Sequence, residues 1–265
     1  MPSIDEITVQ QLSRLVGLPE SPRLVDLRPG DISTCARSRV LPAACNRDAD
    51  AIAGWAPALR GRRVVLYCHD GGALSRGAAA WLRDEGMEAE VLAGGFEAWR
   101  ASGHPVLHLE HVPEPDESGA TVWVTRVRPK IVRIACPWLI RRFVDPDARF
   151  LFVPHSEVAS VAERFGATPF DTGHGIWNDD GDRCTFDVML RAFGLETEPL
   201  LRLATIVRGA DTGRLDLAPQ SAGLLASSLG FSRMYRDDVA QLDAAMALYD
   251  SFYRWSRDAS DEAHG

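Results

Sequence analysis

Tyr67-Cys68-His69-Asp70-Gly71-Gly72-Ala73-Leu74-Ser75-Arg76 is the stretch on which the reading of this chain turns. The apolar run Arg63-Val64-Val65-Leu66-Tyr67 ends in a cysteine, a loop with adjacent glycines follows, and Arg76 to Gly86 (RGAAAWLRDEG) is an alanine-rich helical pattern with a glycine stop. A strand, a glycine loop and a helix in succession aim backbone N–H groups and the positive end of the helix at whatever the loop carries. Here the loop carries Cys68, so both effects are expected to favour thiolate over thiol. The same concavity suits a small oxyanion beside a nucleophile. The competing reading is a cysteine that fills space at a strand end, a common place for this residue type.

Working outward, Arg23-Leu24-Val25-Asp26-Leu27 and Ala89-Glu90-Val91-Leu92 are further short apolar runs that alternate with helical patterns. Buried strands alternating with helices predict a parallel α/β sheet with flanking helices. The stretch 104–120, HPVLHLEHVPEPDESGA, concentrates proline, acids and glycine without an apolar period, so residues 1–108 are read as one domain and 109–120 as a linker. Residues 121–265 are read as a second, mainly helical α+β domain. In it Thr121-Val122-Trp123-Val124-Thr125 and Arg149-Phe150-Leu151-Phe152-Val153 read as strands, and Cys136-Pro137 is placed at a first helical turn. Val239, Leu242, Met246, Tyr249 and Phe252/Tyr253 form the stripe of an amphipathic helix.

With 265 residues, 46% of them hydrophobic and 25% charged, the chain excludes extended disorder and a collagen-like fold. No apolar run approaches the roughly 18 residues of a membrane-spanning helix, and the first 25 residues carry charges in place of a signal-peptide apolar block; a cytoplasmic protein without a membrane partner is expected. The net charge of −8 argues against nucleic-acid binding by neutralisation of many phosphates. Residues 1–108 are nearly balanced, so the excess of acid falls in the second domain. The cysteines, Cys35, Cys45, Cys68, Cys136 and Cys184, are odd in number, widely spaced and without a CxxC pair, which argues against a disulfide framework or a zinc knuckle.

Residues 5–106 resemble the rhodanese family. The resemblance rests on Leu24-Val25-Asp26-Leu27-Arg28, on Tyr67-Cys68, on Ala78-Ala79-Ala80-Trp81-Leu82, on Gly94-Gly95-Phe96-Glu97-Ala98-Trp99 and on Gly103-His104-Pro105-Val106, in that order. It implies a sulfurtransferase in which Cys68 is the catalytic nucleophile, takes a sulfane sulfur as a persulfide and passes it from a small-molecule donor to a thiol acceptor. His69, Asp70, Gly71, Gly72, Ala73, Leu74, Ser75 and Arg76 are then the candidate substrate-binding loop. No cofactor is required for such a transfer. The segment 69–75 holds no Arg or Lys, which separates it from relatives that act on thiosulfate, and the family's Gly-His-Ile-Pro-Gly-Ala stands here as Arg39-Val40-Leu41-Pro42-Ala43-Ala44. His69 is a candidate charge partner of Cys68 and Cys45 a candidate resolving thiol, while Asp26 and Arg28 are expected to form an ion pair beneath the loop.

In the second domain, 126–142 (RVRPKIVRIACPWLIRR) is basic without an acid, and Arg126, Arg128 and Arg133 are candidate oxyanion-binding residues; a solvated face paired with acids such as Asp145 and Asp147 is the alternative. The Phe170–Asp187 stretch mixes carboxylates, His174 and Cys184 in a glycine-rich loop, without a recognised metal-ligand spacing. His155 and the set His104, His108 and His111 are further candidate ligands, and the metal content stays open. Arg208-Gly209-Ala210-Asp211-Thr212 offers a buried Arg–Asp pair. Cys136 is read as a buried packing residue or a thiolate at a helix start. Together VTRVRPKIVRIACPWLIRRFVDPDARFLFV, PFD with GDRCTFDVML, and LATIVRGADT resemble the C-terminal domain of chromate-resistance proteins of the ChrB type over residues 121–255. That resemblance implies a role in chromate response or resistance. Two functions are therefore expected in competition: a Cys68 persulfide sulfurtransferase coupled to chromate response, or a binding protein that senses chromate or another oxyanion without turnover.

Overall fold

The structure, a computed structural model, describes residues 5–29, 38–173 and 175–262. The chain forms two compact units, one running through Glu110 and including Arg142–Asp145, the other comprising His111–Arg141 and the chain from Pro146 onward.

The first unit contains β1 (Glu6–Ile7), α1 (Val9–Ser13), β2 (Arg23–Asp26), β3 (Arg39–Val40), β4 (Ala44–Asn46), α2 (Ile52–Trp55), β5 (Val64–Tyr67), α3 (Ala73–Asp84), β6 (Ala89–Leu92), α4 (Gly95–Ala101) and β7 (Leu107–His108). Five strands form a parallel sheet in the order β1-β6-β5-β2-β4. Val64, Val65, Leu66 and Tyr67 are all fully buried, because β5 is the middle strand and is covered on both faces; such a strand shows an unbroken apolar run in place of alternation. One face packs Val25, Leu66, Ala79, Leu82 and Val91 together. From β2 the chain continues toward β4, whereas from β5 it continues to β6 on the opposite side. The carboxyl ends of β2 and β5 therefore flank the point where the winding reverses, which is where open parallel sheets bind ligands. β7 pairs antiparallel with β3, with Leu107 fully buried, so the start of the stretch read from composition as unstructured is a strand of the first unit. The apolar pair Val40 and Leu107 supplies the reason, and it is too short to register as a period.

The second unit contains β8 (Val122–Arg126), α5 (Val132–Leu139), β9 (Arg149–Val153), α6 (Val158–Phe165), β10 (Thr168–Pro169), α7 (Thr185–Ala192), α8 (Glu198–Asp211), α9 (Gln220–Met234) and α10 (Asp238–Asp258). Its parallel sheet has the order β10-β8-β9, with Trp123 opposite both Phe150 and Thr168. Alternation along β8 puts Val122 and Val124 in a cluster with Val158 of α6, while Trp123 meets Phe170 and Trp177 edge-on. The stripe expected near the C-terminus is α10, which buries Leu242, Met246, Tyr249 and Tyr253.

One expectation is corrected. Cys136-Pro137 does not begin a helix: α5 starts at Val132, Pro137 lies inside it, and a π-turn over Ile140–Val144 follows. The start is fixed by tertiary anchors that local signals do not reveal. Ser228 Oγ takes the Ile131 N–H at 2.9 Å, the Tyr249 hydroxyl donates to the Ile131 carbonyl at 2.8 Å, and Asp211 accepts the Val132 N–H. Among the described residues no helix is long and apolar enough to cross a membrane.

Candidate active site

Cys68 follows the last residue of β5, and its thiol is nearly buried at 5% exposure. Sγ lies 3.2 Å from Ser75 Oγ in the first turn of α3 and donates toward Asp70 Oδ1 at 3.4 Å. Asp70 also accepts the Gly72 N–H at 2.9 Å, and this bond is the main reason its carboxyl is held below the usual aspartate range, with the Cys68 contact second. The sulfur thus rests among a hydroxyl, a carboxylate and the start of a 12-residue helix.

The loop is held from behind by α4. Phe96 N–H donates to Cys68 O at 2.9 Å and Glu97 N–H to His69 O at 3.0 Å, so the unpaired N–H groups of the α4 first turn are satisfied by loop carbonyls. Only glycine permits this approach. Gly95 has φ +58°, and a Cβ there would lie 2.5 Å from Cys68 O and from Gly71 N. Gly71, at φ +70°, would place a Cβ 2.7 Å from Leu92 O. Gly71 of the loop and Gly95 after β6 are two halves of one main-chain contact.

Beneath the neighbouring strand end, Arg28 and Asp26 form the expected ion pair, with Nη2 to Oδ2 at 2.7 Å and Nε to Oδ1 at 3.0 Å, both residues at 2% exposure or less. Arg28 also donates to Arg39 O at 2.8 Å, and its guanidinium lies 3.8 Å from the centroid of Phe96. Tyr67, whose hydroxyl accepts the Leu41 N–H, is pushed well above the usual phenol range by burial.

The other loop residues separate by role. Ser75 is fully buried against the sulfur, whereas His69 is largely exposed, with Nδ1 3.9 Å from Glu97 Oε1. Gly71 and Gly72 supply the turn and the N-cap of α3, and Ala73 begins that helix. Arg76 pairs with Glu6 and donates from Nε to Gly71 O at 3.1 Å, so its charge is spent on holding the loop. Leu74 is exposed and borders a cavity of about 400 Å³ at the carboxyl ends of β2 and β4, together with Leu27, Arg28, Asn46 and Arg47. Cys45 lies in β4, separated from β5 by β2, and packs against the sheet core, its thiol donating to Leu24 O at 3.5 Å.

The basic residues singled out in the second unit divide in two. Arg126 and Arg133 converge on Asp171, at 3.1 and 3.2 Å. Arg128 goes elsewhere: its guanidinium donates to Ser232 O at 2.7 Å and its N–H to Asp238. Arg141 pairs with Asp243 at 2.8 Å.

A family model for the ChrB C-terminal domain matches residues 123–256. The chain belongs to the ChrB C-terminal domain family. A model for the rhodanese-like domain matches residues 8–102, so the first unit is rhodanese-like. Protein ChrB of Cupriavidus metallidurans is 34% identical over 141 residues, 53% of this chain and 42% of that protein; the match spans less than half of the relative. Similar solved structures include a rhodanese-related protein from Thermoplasma volcanium, 18% identical with a TM-score of 0.34 over 38% of this chain and 96% of that one. Another is a thiosulfate sulfurtransferase from Pseudomonas aeruginosa, 27% identical with a TM-score of 0.35 over 42% of this chain and 20% of that one.

Within the ChrB C-terminal domain the two cysteines are inert in setting. Cys136 is fully buried in the middle of α5, and burial first, then the nearby Cys184, pushes its thiol well up. Cys184 caps α7, its N–H and thiol both directed to Asp187 at 3.0 and 3.3 Å, and burial raises its pKa strongly. The Arg–Asp pair expected within Arg208–Thr212 forms differently: Arg208 reaches Asp187 at 2.8 Å, because the two lie on the packed helices α8 and α7. Asp211 is left with the Val132 N–H, close enough to Asp171 and Asp179 that burial and their charges raise its pKa to about 6. His104 packs against Trp99 with ring centroids 4.8 Å apart and the rings tilted by 40°, its pKa lowered by burial. His111 meets Trp177 edge-on at 6.4 Å. His155 is exposed. Cys35 and His174 lie outside the described residues, among which no group of three or more His, Cys, Asp or Glu is arranged to hold a metal ion. Sequence reasoning missed Phe96 as the platform for Arg28 and Gly95 as the seat of the loop; the Gly-Gly-Phe run after β6 was the available signal.

Proposed function

We propose that this protein is a sulfur carrier in which Cys68 forms a persulfide and hands its outer sulfur to a thiol, and that the ChrB C-terminal domain links this chemistry to chromate response. The Cys68 thiol attacks the sulfane sulfur of a donor; the donor's sulfur–sulfur bond breaks, its leaving group departs with the electron pair and the thiol proton, and Cys68–S–SH remains. Attack by an acceptor thiol on the outer sulfur regenerates Cys68. The observation that carries the reading is the setting of the sulfur: it ends the central strand of a parallel sheet at the winding reversal, against Ser75 Oγ and before a helix N-terminus. Capture of an oxyanion by Arg126, Arg128 and Arg133 would first require opening the contacts with Asp171, Asp238 and Ser232.

The test is to incubate the full chain with thiosulfate, mercaptopyruvate and a low-molecular-weight hydropersulfide in turn, and to locate added sulfur by peptide mass spectrometry. An adduct of one sulfur on Cys68, absent in Cys68→Ala, is expected with at least one donor. An unmodified Cys68 with all three, or equal sulfur transfer by the variant, overturns the reading and leaves a binding module.

A further inference from the structure

We infer that Asp70 sets the charge of the sulfur donor, excluding doubly charged sulfane compounds from Cys68 and reserving the site for hydropersulfides, R–S–SH. The inference rests on the sulfur-carrier reading and names its substrate class. Three of the described arginines near the loop face carboxylates: Arg28 is paired with Asp26, Arg76 with Glu6, and Arg100 with Glu97 at 2.6 Å, while Arg47, at the cavity beside Leu74, donates to Asn46 O. Residues 69–75 contribute no cation besides a protonated His69, which is exposed and directed to Glu97. Asp70 has no ion-pair partner among the described residues and lies 3.4 Å from Sγ, its Oδ1 fixed by the Gly72 N–H. The charged group in hydrogen-bond contact with the sulfur is therefore the Asp70 carboxylate, with exposed His69 nearby.

A donor must bring its sulfane sulfur within bonding reach of Sγ, and so within about 5 Å of this carboxylate. For thiosulfate, two negative charges then meet one; at that distance even the dielectric of water yields a penalty on the order of tenfold in encounter, and more as the site dries. A hydropersulfide carries at most one charge at the reacting end and none when protonated. Its transfer balances without a further reactant: Cys68–SH and R–S–SH give Cys68–S–SH and R–SH. The donor S–S bond breaks, the new one forms on Cys68, the Cys68 sulfur is oxidised from thiol to persulfide, and the departing R–S sulfur is reduced to a thiol and takes up the proton. The Asp70 carboxylate that accepts the Cys68 S–H is placed to accept the outer S–H of the product.

The experiment compares rates of Cys68 loading from thiosulfate and from cysteine hydropersulfide in the full-length protein and in Asp70→Asn, which keeps the oxygen that accepts the Gly72 N–H. The ratio of thiosulfate to hydropersulfide loading is expected to rise in the variant, about fourfold where the hydropersulfide reacts as its anion and on the order of tenfold where it reacts neutral. A second readout uses the unaltered protein: thiosulfate loading increases with ionic strength, because salt screens a like-charge encounter, and the dependence flattens in Asp70→Asn. An unchanged ratio, or a thiosulfate rate that falls with salt in the unaltered protein, overturns the assignment to Asp70 while hydropersulfide loading of Cys68 still stands. Loading by neither donor in the unaltered protein overturns both the assignment and the sulfur-carrier reading beneath it.

Discussion

Replacing Gly95 by alanine isolates how far α4 supports the Cys68 loop. Two costs arise at this position. The first is local: φ +58° is a left-handed conformation in which a Cβ costs about 1–2 kcal/mol. The second comes from crowding, because the new Cβ would lie 2.5 Å from Cys68 O and Gly71 N and 2.7 Å from His69 O, all main-chain atoms with no side chain to swing away. The loop must retreat, which weakens the Phe96 N–H to Cys68 O and Glu97 N–H to His69 O bonds at about 1 kcal/mol each. The expected destabilisation is about 3–4 kcal/mol. Gly103→Ala is the control, since Gly103 has φ +72° and open space around its missing Cβ; only the local cost of about 1–2 kcal/mol applies. Urea unfolding measures both variants, and alkylation of Cys68 by iodoacetamide reports on the loop. Gly95→Ala is expected to cost about 2 kcal/mol more than the control and to change the Cys68 alkylation rate, which the control leaves alone. Equal destabilisation by the two substitutions would show that the loop does not depend on this contact.

Arg28→Met leaves the Asp26 carboxylate buried without its cation and is expected to cost about 3–5 kcal/mol, while Asp26→Leu with Arg28→Met recovers part of that loss; a double-mutant cycle in urea with no coupling between the two sites would refute the pairing. Asp211 predicts a pH dependence in the second unit. Its folded pKa of about 6 lies above the 3.8 of the unfolded chain, so the fold binds its proton more tightly, and stability falls as pH rises from about 4 to about 6 before levelling off. The raised pKa of Asp171 acts in the same direction. Asp211→Asn keeps an acceptor for the Val132 N–H and removes the charge beside Asp171 and Asp179, so it is expected to gain up to about 3 kcal/mol over the unaltered protein at pH 7.5 and little at pH 4. Unfolding curves showing the same difference at both pH values would refute this.

The sheet of the first unit was legible because its central strand is apolar on every residue from Val64 to Tyr67 and is followed at once by glycines and an alanine-rich helix. That succession also located Cys68, and the Asp-Leu-Arg spacing located the buried pair, since residues two apart on an extended strand end share a side. The amphipathic stripe of α10 was equally plain. Legibility failed where a long-range partner sets the geometry. Nothing local shows that Ser228, Tyr249 and Asp211 start α5 at Val132, and so a proline in its interior passed for a first turn.

Which element each candidate residue ends could be read along the chain, because strand burial, glycine turns and helix patterns depend on sequence neighbours. The tertiary structure decided the company those residues keep. It paired Arg76 with Glu6 and Arg208 with Asp187, and set Asp70 beside the Cys68 sulfur with no ion pair among the described residues. Charges find their partners through space, across strands and helices whose order no short stretch of sequence records.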